Sequence, residues 1–124
     1  MHILDSNIII ALFRREEKDH ETASRFFSTL KEFAISDHVL FEIGTILKKK
    51  EGQETTKKAI EFLVFNKNSR LLRLSAKEIE MSTQFFLSEN KISFVDASLL
   101  VMAKERNLSL ATFDKEMSKA GARL

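Results

Sequence analysis

Short apolar runs and longer periodic segments alternate along this chain. Met1 to Leu4, Phe33 to Ser36, Leu71 to Leu74 and Leu108 to Ala111 have the length and bounded apolar character of strands. Between them the apolar spacing is helical. Ser6 to Phe13 reads as one helix, and an amphipathic segment runs from about Lys18 to Leu30. Asp37 can cap a helix reaching about Lys50, and Gln53 to Phe65 sets Ala59, Ile60, Leu63 and Val64 on one face. Ser75-Ala-Lys-Glu78 has the form of a capping box and predicts a helix to about Asn90. Ser93 opens another, ending near Asn107. Its residues Leu99, Leu100, Val101, Met102 and Ala103 are consecutive, so it has no polar face and must be buried. Asp114 opens a short helix, and Ala122 to Leu124 are predicted as a last edge strand. Strands separated by helices imply βαβ crossovers and a parallel sheet. The predicted class is therefore α/β, a three-layer α/β/α arrangement around a parallel central sheet.

Composition narrows this picture. At 124 residues, with no Pro, Gly only at 44, 52 and 121 and no linker, the chain predicts one domain over residues 1–124. Hydrophobic residues make up 44%, 11 of them Phe, a globular composition. There is no Cys, which excludes a disulfide framework and a thiolate metal site. No apolar run approaches the roughly 20 residues of a membrane span. The opening HILDSNIII has no basic stretch or cleavage site, so no signal peptide and a cytoplasmic location are expected. The net charge of +2 neither demands nor excludes a polyanionic partner.

Four acids stand out: Asp5 in HILDSNIII, Glu42 in VLFEIGTIL, Asp96 in SFVDASLLVMA and Asp114 in LATFDKEM. A parallel sheet gathers the carboxyl ends of its strands on one edge. Asp5 and Asp114 would emerge there, with Asp96 and Glu42 reaching it from helices. Each has a structural alternative. Asp5 and Asp114 are plausible N-caps, and Asp96 can complete a capping box with Ser93. Glu42 lies between Val39 and Ile46 at the margin of an apolar face, where an acid is usually paired, yet Lys49 is two turns away. Four carboxylates gathered together repel one another unless a cation neutralises them, and the natural cation for an all-oxygen cluster is Mg²⁺ or Mn²⁺.

Other candidates are weaker. His2, His20 and His38 have no ligand spacing and read as incidental. Ser24 and Ser98 have no neighbouring base, and no phosphate-cradling glycine loop is present. Arg14, Arg15, Lys48, Lys49 and Lys50 are solvated helix ends or contacts for a phosphate backbone.

As a set, these segments resemble the PIN-domain family, and within it the VapC-type toxin ribonucleases. ILDSNIII matches the family's opening strand with Asp5, and ISDHVLFEIGTIL its Ser and helical Glu block with Glu42. Asp96, followed by Leu99, Val101 and Ala103, matches the third block, and LSLATFD the fourth, with Thr112 and Asp114. The resemblance spans nearly the whole chain. Met117 stands where many members have Phe, a packing position. The resemblance implies a divalent-metal-dependent endoribonuclease using Mg²⁺ or Mn²⁺. Asp5, Asp96 and Asp114 would hold the metal and Glu42 would complete the acidic cluster. Asn7 and Thr112 match accessory polar positions. It also implies an RNA substrate, a small antitoxin protein as partner, and a homodimer, for which the Phe26, Phe27, Phe62 and Phe65 faces offer an interface. Two rival readings are a phosphatase using Asp5 as nucleophile, which usually wants an acid where Asn7 stands, and a catalytically silent PIN scaffold that binds protein or RNA.

Overall fold

The computed structural model describes residues 1–124. Its strands are β1 (His2–Leu4), β2 (Phe33–Ser36), β3 (Ser69–Leu72) and β4 (Ser109–Ala111). Its helices are α1 (Ser6–Phe13), α2 (His20–Ser28), α3 (Asp37–Glu51), α4 (Gln53–Phe65), α5 (Ala76–Ser88), α6 (Phe94–Glu105) and α7 (Lys115–Gly121). The strands pair in the order β3-β2-β1-β4, every pair parallel. The central strands are the most apolar because both their faces are covered. Ile3, Leu4, Ala34 and Ile35 are wholly buried. One helix group comprises α1 to α4, with α1 against α2 and α3, and α3 against α4. The other places α5 on α6 and α6 on α7. These are the three layers expected from the sequence.

The Phe residues build much of the first group. The ring of Phe27 lies 4.9 Å from that of Phe33 and 5.6 Å from that of Phe62. Phe13 meets Phe62 edge-on, and Phe26 packs on the core beside His2. The expectation that these faces are surplus is thus corrected: Phe26, Phe27 and Phe62 are spent within the chain, and only Phe65 stays exposed. Glu78 is buried at the foot of α5. It completes the capping box with Ser75 and takes a two-pronged hydrogen bond from Arg106 at 2.8 and 2.7 Å.

Other boundaries shift for local reasons. The third strand forms at Ser69–Leu72, two residues before its predicted start, because Phe33 to Ser36 pair with Ser69 to Leu72. Leu74 instead donates its N–H to the Asp37 carboxylate. The helix predicted from Lys18 begins at His20, after turns in which Glu17 and His20 donate to Arg14 and Glu17 carbonyls. Ser36, not Asp37, is the N-cap of α3. Ala122 to Leu124 form no strand. Their N–H groups donate to the carbonyls of Lys119, Ala120 and Gly121, which prolongs the turn of α7 and leaves no ladder donors.

For the site, one consequence of the topology matters most. The ends of β1, β2 and β4 lie on the same edge, since Leu4 is in register with Ala111 and Ile3 with Ala34. Asp5 continues the ladder by donating its N–H to the carbonyl of Ala111 at 3.0 Å. The first and last strands therefore deliver Asp5 and Thr112 side by side.

Candidate active site

Asp5 is the buried centre of this edge, 6% exposed. It is the N-cap of α1. One carboxylate oxygen accepts from the Ser6 N–H at 2.7 Å, and the other accepts the Thr112 hydroxyl proton at 2.7 Å. The Thr112 oxygen in turn accepts from Asn7 Nδ2 at 3.2 Å and from the Asp114 N–H at 3.1 Å. A hydroxyl has one proton and two lone pairs, so Thr112 is saturated. Asn7 closes the ring by accepting from the Phe113 N–H at 3.3 Å. Asp114 caps α7, accepting from the N–H groups of Glu116 and Met117.

Asp96 and Glu42 approach from the helices. Asp96 and Ser93 form the reciprocal capping box at the start of α6, each at 3.0 Å. Three of the four acids thus occupy the caps that the sequence offered as their structural alternative. The two readings coexist, because a cap uses only part of a carboxylate's acceptor capacity. Glu42 is half-buried on α3. Its relation to Asp5 is electrostatic. Burial pushes the Asp5 carboxyl above the ordinary aspartate range. The Thr112 and Ser6 hydrogen bonds pull it down, and the charges of Asp96 and Glu42 push it up again. Asp5, Asp96 and Glu42 therefore share one field, and Asp114 joins them through Thr112.

No three of these carboxylates or the imidazoles converge to the spacing of a cage made wholly of protein ligands. Mg²⁺ does not need such a cage, since it keeps several waters and takes one or two carboxylates. The donor chemistry fits it: hard oxygens only, and a buried carboxylate whose charge is opposed by burial and by two like charges.

The basic candidates separate. Arg14 is committed to ion pairs, Nη1 to Glu17 at 2.7 Å and Nε to Glu51 at 2.8 Å. Arg15 and Lys49 are exposed, and Lys48 borders an apolar groove between α3 and α4. Lys50 lines a cleft of about 420 Å³ with Ser6, Asn7, Asp114, Phe113 and Lys18, so of the four acids it stands beside Asp114. Lys18 was not singled out in the sequence. Only the turn after α1 brings it there.

His38 was passed over as well. Its ring sits between Ser36 Oγ at 2.9 Å and Ser98 Oγ at 2.7 Å. The available signal was its position one helical turn before Glu42. Met117 is fully buried, a packing position as its place in the pattern implied.

A parallel sheet lies between two helix layers, with buried Asp5 and its partner Thr112 at the carboxyl edge. The PIN-domain family model matches residues 2–123, and the chain belongs to that family. No curated protein matches the sequence. Among solved structures the chain is similar to VapC20 of Mycobacterium tuberculosis, described as a sarcin-ricin loop cleaving toxin. The TM-score is 0.89 at 24% identity, covering 98% of this chain and 95% of that one. A toxin-antitoxin complex from Klebsiella pneumoniae matches with a TM-score of 0.69 at 24% identity, covering 94% and 88% of the two chains. VapBC2 from Rickettsia felis, bound to a DNA fragment from its promoter, matches with a TM-score of 0.69 at 19% identity, covering 96% and 92%. At these identities the likeness is one of fold.

Proposed function

We propose that this chain is a divalent-metal-dependent endoribonuclease and the toxin of a toxin-antitoxin pair. The observation that carries the reading is Asp5, buried at the carboxyl edge of the sheet and facing the charges of Asp96 and Glu42. A structure that holds a buried carboxylate against its own burial and two like charges is arranged for a cation. Asp5 and Asp96 would hold Mg²⁺ or Mn²⁺, with Asp114 and Glu42 completing the shell directly or through water. When bound, the ion supplies the positive charge that offsets the developing charge on a phosphodiester and makes water a better nucleophile. Thr112 and Asn7 fix the orientation of Asp5 and Asp114. The cleft beside them offers Lys18 and Lys50 to backbone phosphates and Phe113 to a base.

The toxin assignment is supported by the family and by neighbours described as toxins or toxin-antitoxin complexes. Partners would be an RNA substrate, a small antitoxin and a second copy of the chain. For the homodimer, exposed Phe41, Leu87 and Phe65 replace Phe26, Phe27 and Phe62, which are partly buried against the core. No helix is long and apolar enough to cross a membrane, and action on RNA would place the protein in the cytoplasm.

The test is cleavage of a structured RNA with Mg²⁺ or Mn²⁺ and with chelator. Wild type should cut only with metal, and Asp5→Asn and Asp96→Asn should each lose at least a hundredfold in rate while remaining folded. Cleavage in chelator, or near wild-type cutting by either variant, would overturn the proposal. A phosphorylated Asp5 trapped from a small phosphoester would point to the phosphatase reading instead.

A further inference from the structure

His38 is the middle of a polar chain that crosses an otherwise apolar layer. The Ser98 hydroxyl donates to the carbonyl of Val95 at 2.6 Å, so its one proton is spent. It must therefore accept from His38 Nε2–H at 2.7 Å. In the neutral ring Nδ1 is then an acceptor, and Ser36 Oγ, at 2.9 Å, donates to it. Both ends are buried, Ser36 at 0% and Ser98 at 3% exposed. Asp37 Oδ1 lies 3.6 Å from Nδ1 and is the only carboxylate paired with the ring.

The chain links three elements: the end of β2, the first turn of α3 and the second turn of α6. The His38–Ser98 bond is the one side-chain hydrogen bond between α3 and α6. His38 stands one helical turn before Glu42 on α3, and Ser98 two residues after Asp96 on α6. The two helices that bring Glu42 and Asp96 to Asp5 are thus clamped to each other, and to the sheet, at the ends nearest those acids. The His38 side chain is 25% exposed, but its two serine partners are buried; buried polar groups are costly unless satisfied, and when satisfied they fix one arrangement of the elements they join.

We propose that His38 is a positioning residue for the acidic site, setting the separation of Glu42 and Asp96 through Ser98. This rests on the metal-dependent reading of the site. It predicts that loosening the clamp weakens metal binding more than it weakens the fold, as the loss of groups that orient metal ligands does, by about 10- to 100-fold in affinity.

The experiment is Mn²⁺ titration, by calorimetry and by the spin resonance of free Mn²⁺, of wild type, His38→Ala, His38→Gln, Ser98→Ala and the His38→Ala/Ser98→Ala double variant. Thermal melting and circular dichroism of the metal-free proteins run alongside. His38→Ala and Ser98→Ala should each raise the Mn²⁺ Kd about tenfold or more. The double variant should be no worse than His38→Ala alone, because that substitution already breaks the bond to Ser98. His38→Gln, which can still bridge two hydroxyls, should recover most of the affinity. Unchanged Kd values in folded His38→Ala and Ser98→Ala, or additive losses in the double variant, would overturn the proposal. Should His38→Ala fail to fold, Ser98→Ala and His38→Gln still decide it. Failure of wild type to bind Mn²⁺ would sink the metal reading of the site itself, a different result from binding that ignores His38.

Discussion

Replacing Thr112 by Val keeps the volume and removes one hydroxyl that serves three groups. Asp5 loses the donor to its second oxygen, and Asn7 Nδ2 and the Asp114 N–H lose their acceptor. A hydrogen bond to a charged group contributes about 1.5–3 kcal/mol, and leaving a buried polar group unmet costs a similar amount. Asp5 is nearly inaccessible, so water does not replace the hydroxyl in full. The expected destabilisation is about 3 kcal/mol at pH 8, read as a lower urea midpoint with unchanged slope. The loss depends on pH. In wild type the folded Asp5 carboxyl already sits above its ordinary value of 3.8, and the Thr112 bond is the largest force holding it down. Without that bond the folded value rises further. A carboxyl with a raised folded pKa loses stability as pH climbs through the window above 3.8. The gap between variant and wild type should therefore shrink toward pH 4 and widen by pH 8. Thr112→Ser keeps the hydroxyl and should cost under about 1 kcal/mol. A Thr112→Val variant within about 0.5 kcal/mol of wild type at pH 8, or a gap that does not change with pH, would refute the saturated-hydroxyl reasoning.

Three further outcomes follow from other parts of the fold. The Arg106 guanidinium holds the Glu78 carboxyl at about 2, against about 4.5 for a free glutamate. The pair is then worth roughly 3 kcal/mol at most. That stability is fully present above pH 4.5 and is lost as pH falls toward about 2. Glu78→Gln should flatten this acid limb in urea melts, and an unchanged limb would count against the pair. Mg²⁺ or Mn²⁺ at a hundred times its Kd should stabilise wild type by about 2.7 kcal/mol. The Asp5→Asn/Asp96→Asn double variant should gain nothing, and equal melting shifts in both proteins would place the cation elsewhere. Gly52 joins α3 to α4 at φ 85°, with open space where a Cβ would stand. Gly52→Ala should cost about 1–3 kcal/mol from backbone strain alone, read in urea melts; a neutral substitution would show that the junction relaxes.

The features legible in the sequence were those written locally. The capping boxes at Ser75 and Ser93 were read correctly because both partners lie three residues apart. The four acids stand out because each falls where an apolar stretch ends or turns. Features that depend on distant pairings were not visible. Ser69 and Arg70 look like a loop and become strand because β2 offers them a ladder. Ala122 to Leu124 look like strand and turn instead, because their N–H groups are taken by the carbonyls of Lys119, Ala120 and Gly121. The Phe faces of α2 and α4 looked surplus because nothing local says that Phe33 meets Phe27 and Phe62. Arg14 looked free for a phosphate until Glu51, 37 positions away, was found beside it. His38 looked incidental because Ser98, which gives it meaning, lies 60 positions downstream.

The Asp5–Thr112 bond spans 107 positions of a chain of 124. During synthesis the Asp5 carboxylate therefore stays without its Thr112 partner until the segment after β4 has emerged. A chain interrupted anywhere before Ala111 lacks both the neighbouring strand and the hydroxyl, however well its early helices have formed. In the metal-dependent nuclease we propose, this order of assembly would leave the acidic edge incomplete until the Thr112 hydroxyl has docked on Asp5.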